Sequence, residues 1–251
     1  MERIENIQRV RVLGVPVDSV DMPGVLKRID SLIKNGKRGS YILAINPEKV
    51  IFLQKDRFLK QMFENAALLI PDGIGVVHAV RLLYGLDVER VPGADLMHHL
   101  CRESARKGYR IFVYGASEEV NRESVRTLRQ LYPGIHLVGR CNGYMTEESM
   151  NDLIEEINKS NADVLFIALG SPRQEQWIQK YLPRLKVKVC QGVGGTLDTI
   201  SGKKRRAPVF VRRLGLEWLY RLVCEPRRIR RQIVYPLFTI KVLLEKFKSL
   251  I

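Results

Sequence analysis

Short apolar runs alternate with stretches of helical periodicity along almost the whole chain. The apolar runs predict strands at Val10–Leu13, Tyr41–Ile45, Ala67–Ile70, Arg110–Tyr114, His136–Cys141, Asp163–Leu169 and Val187–Gln191. Helical spacing predicts helices at Pro23–Lys34, Glu48–Asn65, Ile74–Leu83, Ala94–Lys107, Glu118–Leu131, Thr146–Lys159 and Pro172–Tyr181. Because strands that alternate with helices favour βαβ units, the pattern predicts an α/β fold: a mostly parallel, doubly wound sheet with helices on both faces.

One corner of this pattern carries an acid. Residues 68–77 read LLIPDGIGVV, so Asp72 follows a predicted strand and precedes a predicted helix. An Asp at a helix start is a common N-cap, because its carboxylate accepts backbone N–H groups and suits the helix dipole. The carboxyl end of a strand is also where open α/β sheets bind their ligands. The corner alone leaves both interpretations open and favours the cap.

Polar and glycine-rich motifs follow other predicted strands as well. The motifs are INPE at 45–48, YGAS at 114–117, GY at 143–144, GSPRQE at 170–175 and QGVGGT at 191–196. Because the carboxyl ends of parallel strands meet at one sheet edge, we expect these motifs to cluster. Glycines there let a ligand approach the backbone, and helix N-termini offer N–H groups to phosphates. The sequence therefore predicts a nucleotide site.

The absence of familiar motifs argues against several classes of nucleotide site. Neither YGASEE nor QGVGGTLDTISG completes G-x-G-x-x-G, and GxxxxGK[ST] is absent, which argues against dinucleotide and P-loop sites. The chain has no D-x-D and no acidic or histidine pair with clear metal-ligand spacing. No metal or other cofactor is therefore expected, and backbone N–H groups and arginines would have to bind a diphosphate.

The cysteines and the apolar runs bear on location. Four widely spaced cysteines form no CxxC pair, which argues against a zinc site and a disulfide framework and favours a reducing cytoplasm. The first residues carry scattered charges, and no window approaches 18 uninterrupted apolar residues. We expect a protein that is neither secreted by a signal peptide nor membrane-spanning.

The positive charge is concentrated at the C-terminal end. The formal net charge is +15, and residues 202–251 hold fourteen Lys and Arg against three Glu. A basic segment of this kind points to an anionic partner: nucleic acid, lipid headgroups or a diphosphate.

The same end carries an apolar stripe, which consists of Ile229, Ile233, Leu237, Ile240, Leu244, Phe247 and Ile251. Spacings of three and four residues predict one helix, bent near Pro236 because proline cannot donate the helical hydrogen bond. The stripe could pack on the core, as apolar stripes usually do, or lie on a membrane. Basic residues beside the stripe favour the membrane.

Eight blocks together resemble one family. They are INPEKV, LLIPDGIGVV, RVPGADL, VYGAS, LGSPRQEQWI, QGVGGTLDTISG, RAPVFVRRLGLEWLYRL and EPRRIRRQ, within about Leu13 to Tyr235. In this order they are similar to the WecG/TagA/CpsF family of glycosyltransferases. The resemblance implies a Rossmann-like catalytic core at residues 1–206. It also implies a basic amphipathic appendage at residues 207–251 that completes the active site and contacts the membrane.

The resemblance assigns roles to core residues by position. Asp72 matches the acid proposed as general base, which would take the proton from the acceptor hydroxyl. Asn46 and Gln174 match polar residues around the diphosphate and sugar of the donor, although caps and turns use such residues too. Further substrate-binding positions are Tyr144 and Asp198, near the uridine and ribose, and the glycines Gly192, Gly194 and Gly195.

In the appendage, Arg221, Arg228 and Arg231 match arginines assigned to the diphosphates, where they could neutralise the leaving group in the transition state. A solvated basic face would also account for arginines at this density. Ala44 departs from the family, which often has a hydroxyl residue at that position. This departure puts the exact donor sugar in doubt.

The resemblance implies an inverting, metal-independent hexosyltransferase that moves N-acetylmannosamine from its UDP donor to N-acetylglucosaminyl-diphospho-undecaprenol. The product would serve cell-envelope polysaccharide or teichoic acid synthesis. UDP-N-acetylmannosaminuronic acid and UDP-glucose are alternative donors. We expect a cytoplasmic enzyme, peripheral on the inner face of the cell membrane, and leave self-association into a homo-oligomer open. The alternative from another class is a basic nucleic-acid-binding protein, but the interleaved aromatic residues typical of that class are missing.

Overall fold

A computed structural model describes residues 7–36, 38–226, 229 and 233–249 of the chain. Within them it forms eight strands: β1 Gln8–Val12, β2 Val15–Ser19, β3 Ser40–Ile45, β4 Leu68–Pro71, β5 Arg110–Gly115, β6 His136–Cys141, β7 Val164–Ala168 and β8 Val189–Gly192. The α-helices of the same residues are α1 Met22–Lys34, α2 Pro47–Leu53, α3 Arg57–Glu64, α4 Ile74–Tyr84, α5 Gly93–Lys107, α6 Glu118–Leu131, α7 Met150–Lys159, α8 Arg173–Tyr181, α9 Thr196–Ile200, α10 Val209–Arg213, α11 Glu217–Cys224 and α12 Val234–Lys248.

Six of the strands form one sheet, in the order β4-β3-β8-β7-β5-β6, and every pairing in it is parallel. Successive residues of each strand point to opposite faces. Ile42 accordingly belongs to one hydrophobic cluster, with α1, α5 and α6, and Leu43 to the other, with α2, α4 and α8. The predicted α/β fold with helices on both faces of a parallel sheet is confirmed.

The first predicted strand lies outside this sheet, and its neighbour β2 was missed. β1 and β2 form a separate antiparallel hairpin in which Val12 faces Val15. The two residues of the turn, Leu13 and Gly14, both have positive φ, at 52° and 74°. Two-residue hairpin turns use this conformation because its twist matches that of the strands.

Two predicted helices differ from those in the structure. The helix predicted at Glu48–Asn65 is divided into α2 and α3 because Asp56 caps the second one, accepting the N–H of Leu59 at 2.9 Å. The helix predicted at Thr146–Lys159 begins at Met150.

The C-terminal segment, residues 207–251, contains α10, α11 and α12 among its described residues. α12 begins at Val234, so Pro236 lies in its first turn. A proline costs no helical hydrogen bond at that position, because the N–H groups of the first turn have no partner within the helix. The bend predicted near Pro236 is not seen in α12, because the described helix has no complete turn before the proline. Phe238 and Val242 of α12 are buried in the hydrophobic cluster on α2 and α4.

The predicted stripe of α12 faces away from that cluster. Leu237 is 44% exposed and Leu244 55%. α12 thus packs on the core, as one interpretation expected, but through residues outside the stripe. Ile251, at the end of the predicted stripe, lies outside the described residues.

Candidate active site

A cavity of about 460 Å³ opens at the carboxyl ends of four adjacent strands, β4, β3, β8 and β7. This volume lies within the range of about 300–1,000 Å³ that is common for small-molecule sites. Seven of the residues selected from the sequence line it: Asn46, Asp72, Gln174, Gly192, Gly194, Gly195 and Arg221. The structure thus brings the core candidates together with one arginine of the C-terminal segment.

Asp72 is a cap, but not of the helix that follows it. Gly73 occupies the N-cap position of α4 and makes no side-chain bond. Oδ1 of Asp72 instead accepts the N–H of Gly93, the first residue of α5, at 3.0 Å. One carboxylate oxygen is therefore fixed by a distant helix, and the residue still lines the cavity. The predicted cap of the helix that follows Asp72 is therefore wrong, and the bond to Gly93 is compatible with a place in the cavity.

The surroundings of Asp72 alter its acidity. Burial raises the pKa of its carboxyl above the ordinary value, and the charge of Glu217 adds to the effect. The Arg90 guanidinium, the N–H of Gly93 and the charge of Arg221 act in the opposite direction. A carboxylate whose pKa is raised is a stronger proton acceptor, which is what a general base requires.

Residue 73 has to be a glycine because the backbone at Asn46 and Pro47 passes very close to it. A Cβ added at Gly73 would lie 2.8 Å from Cδ of Pro47 and 3.1 Å from Cα of Asn46. The N–H groups of Asp72 and Gly73 both donate to the carbonyl of Ile45, at 3.0 and 3.2 Å. The ends of β3 and β4 are thereby joined, and Asn46 is held beside Asp72.

Asn46 also combines a cap with a place in the cavity. Its Oδ1 accepts the N–H of Lys49 at 2.9 Å, which makes it the N-cap of α2. The cap uses the side-chain oxygen, so the amide nitrogen is the atom that can donate to a ligand.

Gln174 orders the glycine loop after β8. It is 4% exposed, and its Oε1 accepts the N–H of Gly194 at 3.0 Å. Gly194 has φ of +53°, a conformation that L side chains rarely adopt. A Cβ at Gly192 would meet Nε2 of Gln174 at 2.6 Å. Both glycines are thus required, one for its conformation and the other for packing.

A buried ion pair fixes the orientation of the Gln174 amide. Nε2 of Gln174 donates to Oε1 of Glu175 at 3.2 Å, and Nζ of Lys49 binds the same oxygen at 2.8 Å. Burial opposes the charge of Glu175, but the Lys49 ammonium outweighs it and holds the pKa of the carboxyl below its ordinary value. Because a carboxylate can only accept hydrogen bonds, Glu175 must face the Nε2 side of the Gln174 amide. The other side of the amide, Oε1, then faces the N–H of Gly194.

Arg90, Glu217 and Arg221 form a second network, which joins the core to the C-terminal segment. Nε of Arg90 donates to the carbonyl of Asp72 at 2.6 Å, and its Nη2 binds Oε2 of Glu217 at 2.9 Å. Oε1 of Glu217 accepts from Arg221 at 2.5 Å. Burial disfavours the charge of Glu217, but the two arginines hold its pKa below the ordinary value.

Sequence reasoning missed Arg90 and Glu217. Both lie within quoted blocks, RVPGADL and RAPVFVRRLGLEWLYRL, yet they are 127 residues apart. An isolated arginine and an isolated glutamate give no local signal of such a pair.

Aromatic side chains of the C-terminal segment complete the wall of the cavity. Trp218 of α11 and Tyr235 of α12 both line it, and their rings stack with centroids 5.1 Å apart and planes at 23°. Burial raises the pKa of the Tyr235 phenol to about 12, so the hydroxyl keeps its proton at neutral pH.

Two further candidates, Tyr144 and Asp198, are not among the residues that line the cavity. Tyr144 follows β6, the edge strand two positions beyond β7, and its side chain is 78% exposed outside the cavity. Asp198 borders the glycine loop, because a Cβ at Gly195 would be 3.5 Å from its Oδ2. Arg228 and Arg231 lie outside the described residues. The ligand roles of all these residues stay predictions.

No group of three or more His, Cys, Asp or Glu side chains in residues 7–36, 38–226, 229 and 233–249 is placed to hold a metal ion. None of the helices in those ranges has the length and apolar character needed to cross a membrane.

Comparison with known proteins gives concordant matches. The model of a family described as Glycosyl transferase WecG/TagA/CpsF matches residues 10–250. A protein of Bacillus subtilis (strain 168), named N-acetylglucosaminyldiphosphoundecaprenol N-acetyl-beta-D-mannosaminyltransferase, is 32% identical over 96% of this chain and 93% of its own length. Relatives with the same name from Bacillus spizizenii and Staphylococcus aureus (strain MRSA252) are 33% and 30% identical, over 90% and 99% of this chain and 87% and 97% of their own lengths.

Proposed function

Since the chain belongs to the WecG/TagA/CpsF family of glycosyltransferases, we propose that it transfers N-acetylmannosamine from its UDP donor to N-acetylglucosaminyl-diphospho-undecaprenol. The names of the relatives supply the acceptor and the transferred sugar. The observation that carries the proposal is Asp72, a carboxylate of raised pKa in a cavity at the strand ends. The family predicted from the sequence is confirmed.

Asp72 acts as the general base of the transfer. The acceptor hydroxyl gives its proton to the carboxylate while its oxygen forms a bond to the anomeric carbon of the donor. The bond between that carbon and the diphosphate oxygen breaks, and its electron pair leaves with UDP. Because the new bond forms on the face opposite the leaving group, the configuration inverts. The bond from Gly93 to Oδ1 holds the carboxyl in place, so Oδ2 is the oxygen that receives the proton.

Positive charge for the diphosphate comes from the C-terminal segment in this proposal. The cavity cations of the described residues all have acidic partners, since Lys49 pairs with Glu175 and both Arg90 and Arg221 pair with Glu217. Arg221 is the most exposed of the three, at 51% of its side chain. It is therefore the one able to turn toward the leaving group and stabilise the developing charge. Arg228 and Arg231 are assigned the same role from the sequence.

The C-terminal segment also holds the enzyme on the membrane that carries its acceptor. Thirteen of the twenty large hydrophobic side chains exposed in the described residues lie after Ala207. Lys241, Lys246 and Lys248 lie on the same helix as the stripe. Apolar side chains next to cations are typical of interfacial helices, and each cation near anionic lipid contributes on the order of 1 kcal/mol.

Turnover assays test the proposal. The enzyme is supplied with a panel of UDP-sugars and a short-chain, water-soluble analogue of the lipid-diphosphate acceptor, with and without EDTA. We expect product with UDP-N-acetylmannosamine, with an inverted anomeric centre and the same rate in EDTA. Preference for UDP-N-acetylmannosaminuronic acid or UDP-glucose would change the donor, and a rate restored specifically by Mg²⁺ or Mn²⁺ would contradict metal independence.

A second assay separates the membrane from nucleic acid as the anionic partner. Flotation with anionic vesicles and binding to RNA are compared at equal salt concentration. We expect flotation with the vesicles. RNA binding without flotation would favour the alternative of a nucleic-acid-binding protein.

A further inference from the structure

The stacked rings of Trp218 and Tyr235 form an aromatic wall of the cavity. Both residues line it and are only partly buried. The other walls offer the amide of Asn46, the carboxylate of Asp72 and the glycine backbone after β8. An aromatic ring that lines a cavity beside polar groups is a surface for an apolar part of a ligand.

This aromatic wall lies at one end of the cavity. α12, which carries Tyr235, packs on α2 and α4, the helices that follow β3 and β4. The glycine loop and Gln174 follow β8 and β7, on the other side of β3 in the sheet. The two ends of the cavity therefore differ, with aromatic rings near the end of β4 and backbone groups near the ends of β8 and β7.

Hydrogen bonds connect the aromatic wall to Asp72, the proposed base. Glu217, the residue before Trp218, binds Nη2 of Arg90 at 2.9 Å, and Nε of the same arginine donates to the carbonyl of Asp72 at 2.6 Å. Two bonds thus connect the start of α11 to the strand end that carries the carboxylate. A general base must lie within about 2.6–3.2 Å of the hydroxyl that it deprotonates, so the acceptor ring has to lie at this end of the cavity.

We propose that the cavity-lining rings of Trp218 and Tyr235 bind the sugar ring at the reacting end of the acceptor. This inference rests on the proposed function, which makes the acceptor a lipid-linked hexosamine. A pyranose presents a face of C–H groups with partial positive charge, which suits the negative face of an aromatic ring. The hydroxyl of Tyr235, which stays protonated, is a donor for a sugar hydroxyl at the edge of the ring.

Kinetics of two variants at Trp218 test the assignment. Trp218→Ala should raise KM for the short-chain acceptor about tenfold or more, the usual effect of losing one stacking ring. KM for the donor should change much less than KM for the acceptor, because the glycine loop and Gln174 lie at the other end of the cavity. Trp218→Phe, which keeps an aromatic face, should restore most of the affinity for the acceptor.

Phe210→Ala is the matched control. Phe210 is an aromatic residue of the same segment, 65% exposed and outside the cavity lining. It should leave KM for the acceptor unchanged.

The outcomes separate this inference from the function on which it rests. If the wild-type enzyme transfers no sugar from any UDP donor to a lipid-diphosphate acceptor, the proposed function is wrong. If the wild type is active and Trp218→Ala keeps its KM for the acceptor, only the aromatic site is wrong. A variant that loses affinity for donor and acceptor together, with a lower melting temperature, would show that the stack merely holds the segment in place, and would also overturn the inference.

Fluorescence supplies a readout that does not depend on turnover. The chain has two tryptophans, and Trp177 is 6% exposed in the core. In Trp177→Phe, therefore, Trp218 is the only source of tryptophan emission. Titration with the short-chain acceptor should change that emission in a saturable way, with a midpoint near KM. No change in a Trp177→Phe variant that still turns over the acceptor would contradict the proposal.

Discussion

The core buries most of its apolar side chains, whereas the C-terminal segment exposes most of its large ones. Strands and helices of residues 7–206 bury them on both faces of a parallel sheet. Among the described residues after 206, only Ala207, Phe238 and Val242 are buried apolar residues, and thirteen large hydrophobic side chains are exposed. Monomeric proteins seldom expose apolar patches of this kind without a partner that covers them.

The difference shows how the work of the enzyme is divided. In the proposed mechanism, the core supplies a base and a backbone loop that are fixed by hydrogen bonds to neighbouring elements. The segment supplies an arginine, an aromatic wall and an apolar surface, and it joins the core near the cavity through the pair of Arg90 with Glu217. Under the proposed function, positioning depends on the core, whereas charge compensation and access to a lipid-linked acceptor depend on the segment.

The largest loss of turnover is expected from the core. Asp72→Asn should lower kcat by about 10²-fold or more, because general base catalysis contributes about 10²–10⁴-fold. The amide oxygen can still accept from Gly93, so the fold and UDP binding should be retained. Calorimetric titration with UDP and steady-state assays on the short-chain acceptor measure the two quantities. Near-normal turnover would reduce Asp72 to a cap of α5.

In the segment, Arg221→Ala should lower kcat by about 10²-fold, the effect of losing one group that stabilises transition-state charge. The matched control is Arg213→Ala, which removes the same charge from an exposed residue outside the cavity. Initial rates on the soluble acceptor test both variants. Equal losses in the two would indicate that net charge matters and position does not.

A smaller effect is expected at the contact between the two regions. Glu217→Gln should lower turnover about tenfold, since the amide has no charge and only one oxygen that can accept, whereas the carboxylate accepts from Arg90 and Arg221 through separate oxygens. The substitution should lower the pKa of Asp72 for two reasons. The negative charge of Glu217, which raises that pKa, is removed, and the positive charges of Arg90 and Arg221, which lower it, are no longer neutralised. The rate falls when Asp72 is protonated, so the acidic limb of the pH profile of kcat should move to lower pH. A limb that stays in place or moves to higher pH would contradict this coupling.

Residues that are near in sequence were predictable, and those brought together by the fold were not. The corner at Asp72 and Gly73 could be recognised because a strand, a turn and a helix follow one another. Its hydrogen-bond partner Gly93 is 21 residues further along the chain, which no local pattern reveals. The hairpin strand β2, with the sequence VPVDS, was missed because it is short and contains a proline, which is unusual inside a sheet.

The orientation of α12 could not be predicted for another reason. The helix has apolar residues on two sides, with Phe238 and Val242 four apart on one side and Leu237, Ile240 and Leu244 on the other. Periodicity identifies an amphipathic helix but cannot choose between two such faces. The choice is made by tertiary contacts, including the bond from Lys241 to Gln54 and that from the N–H of Leu13 to Glu245.

The smallest effect on turnover is expected from the stripe itself. Leu237→Asn and Leu244→Asn should leave kcat on the short-chain acceptor unchanged, because neither residue lines the cavity. Each should weaken binding to anionic vesicles about tenfold or more, since burying a leucine side chain contributes about 1.5–3 kcal/mol. Flotation with vesicles of mixed neutral and anionic lipid measures this change.

Val242→Asn, on the opposite face of the same helix, is the control that defines the comparison. Val242 is 5% exposed, so the side-chain amide of an asparagine at that position would be buried among apolar side chains. Burial of a polar group in such surroundings should lower the melting temperature. Leu244, at 55% exposure, should tolerate the same substitution with little change. The stripe variants would then separate membrane binding from stability, as the two faces of α12 require. If Leu244→Asn destabilises the protein as much as Val242→Asn does, the stripe is covered by the protein itself, and the contrast between core and segment does not hold in solution.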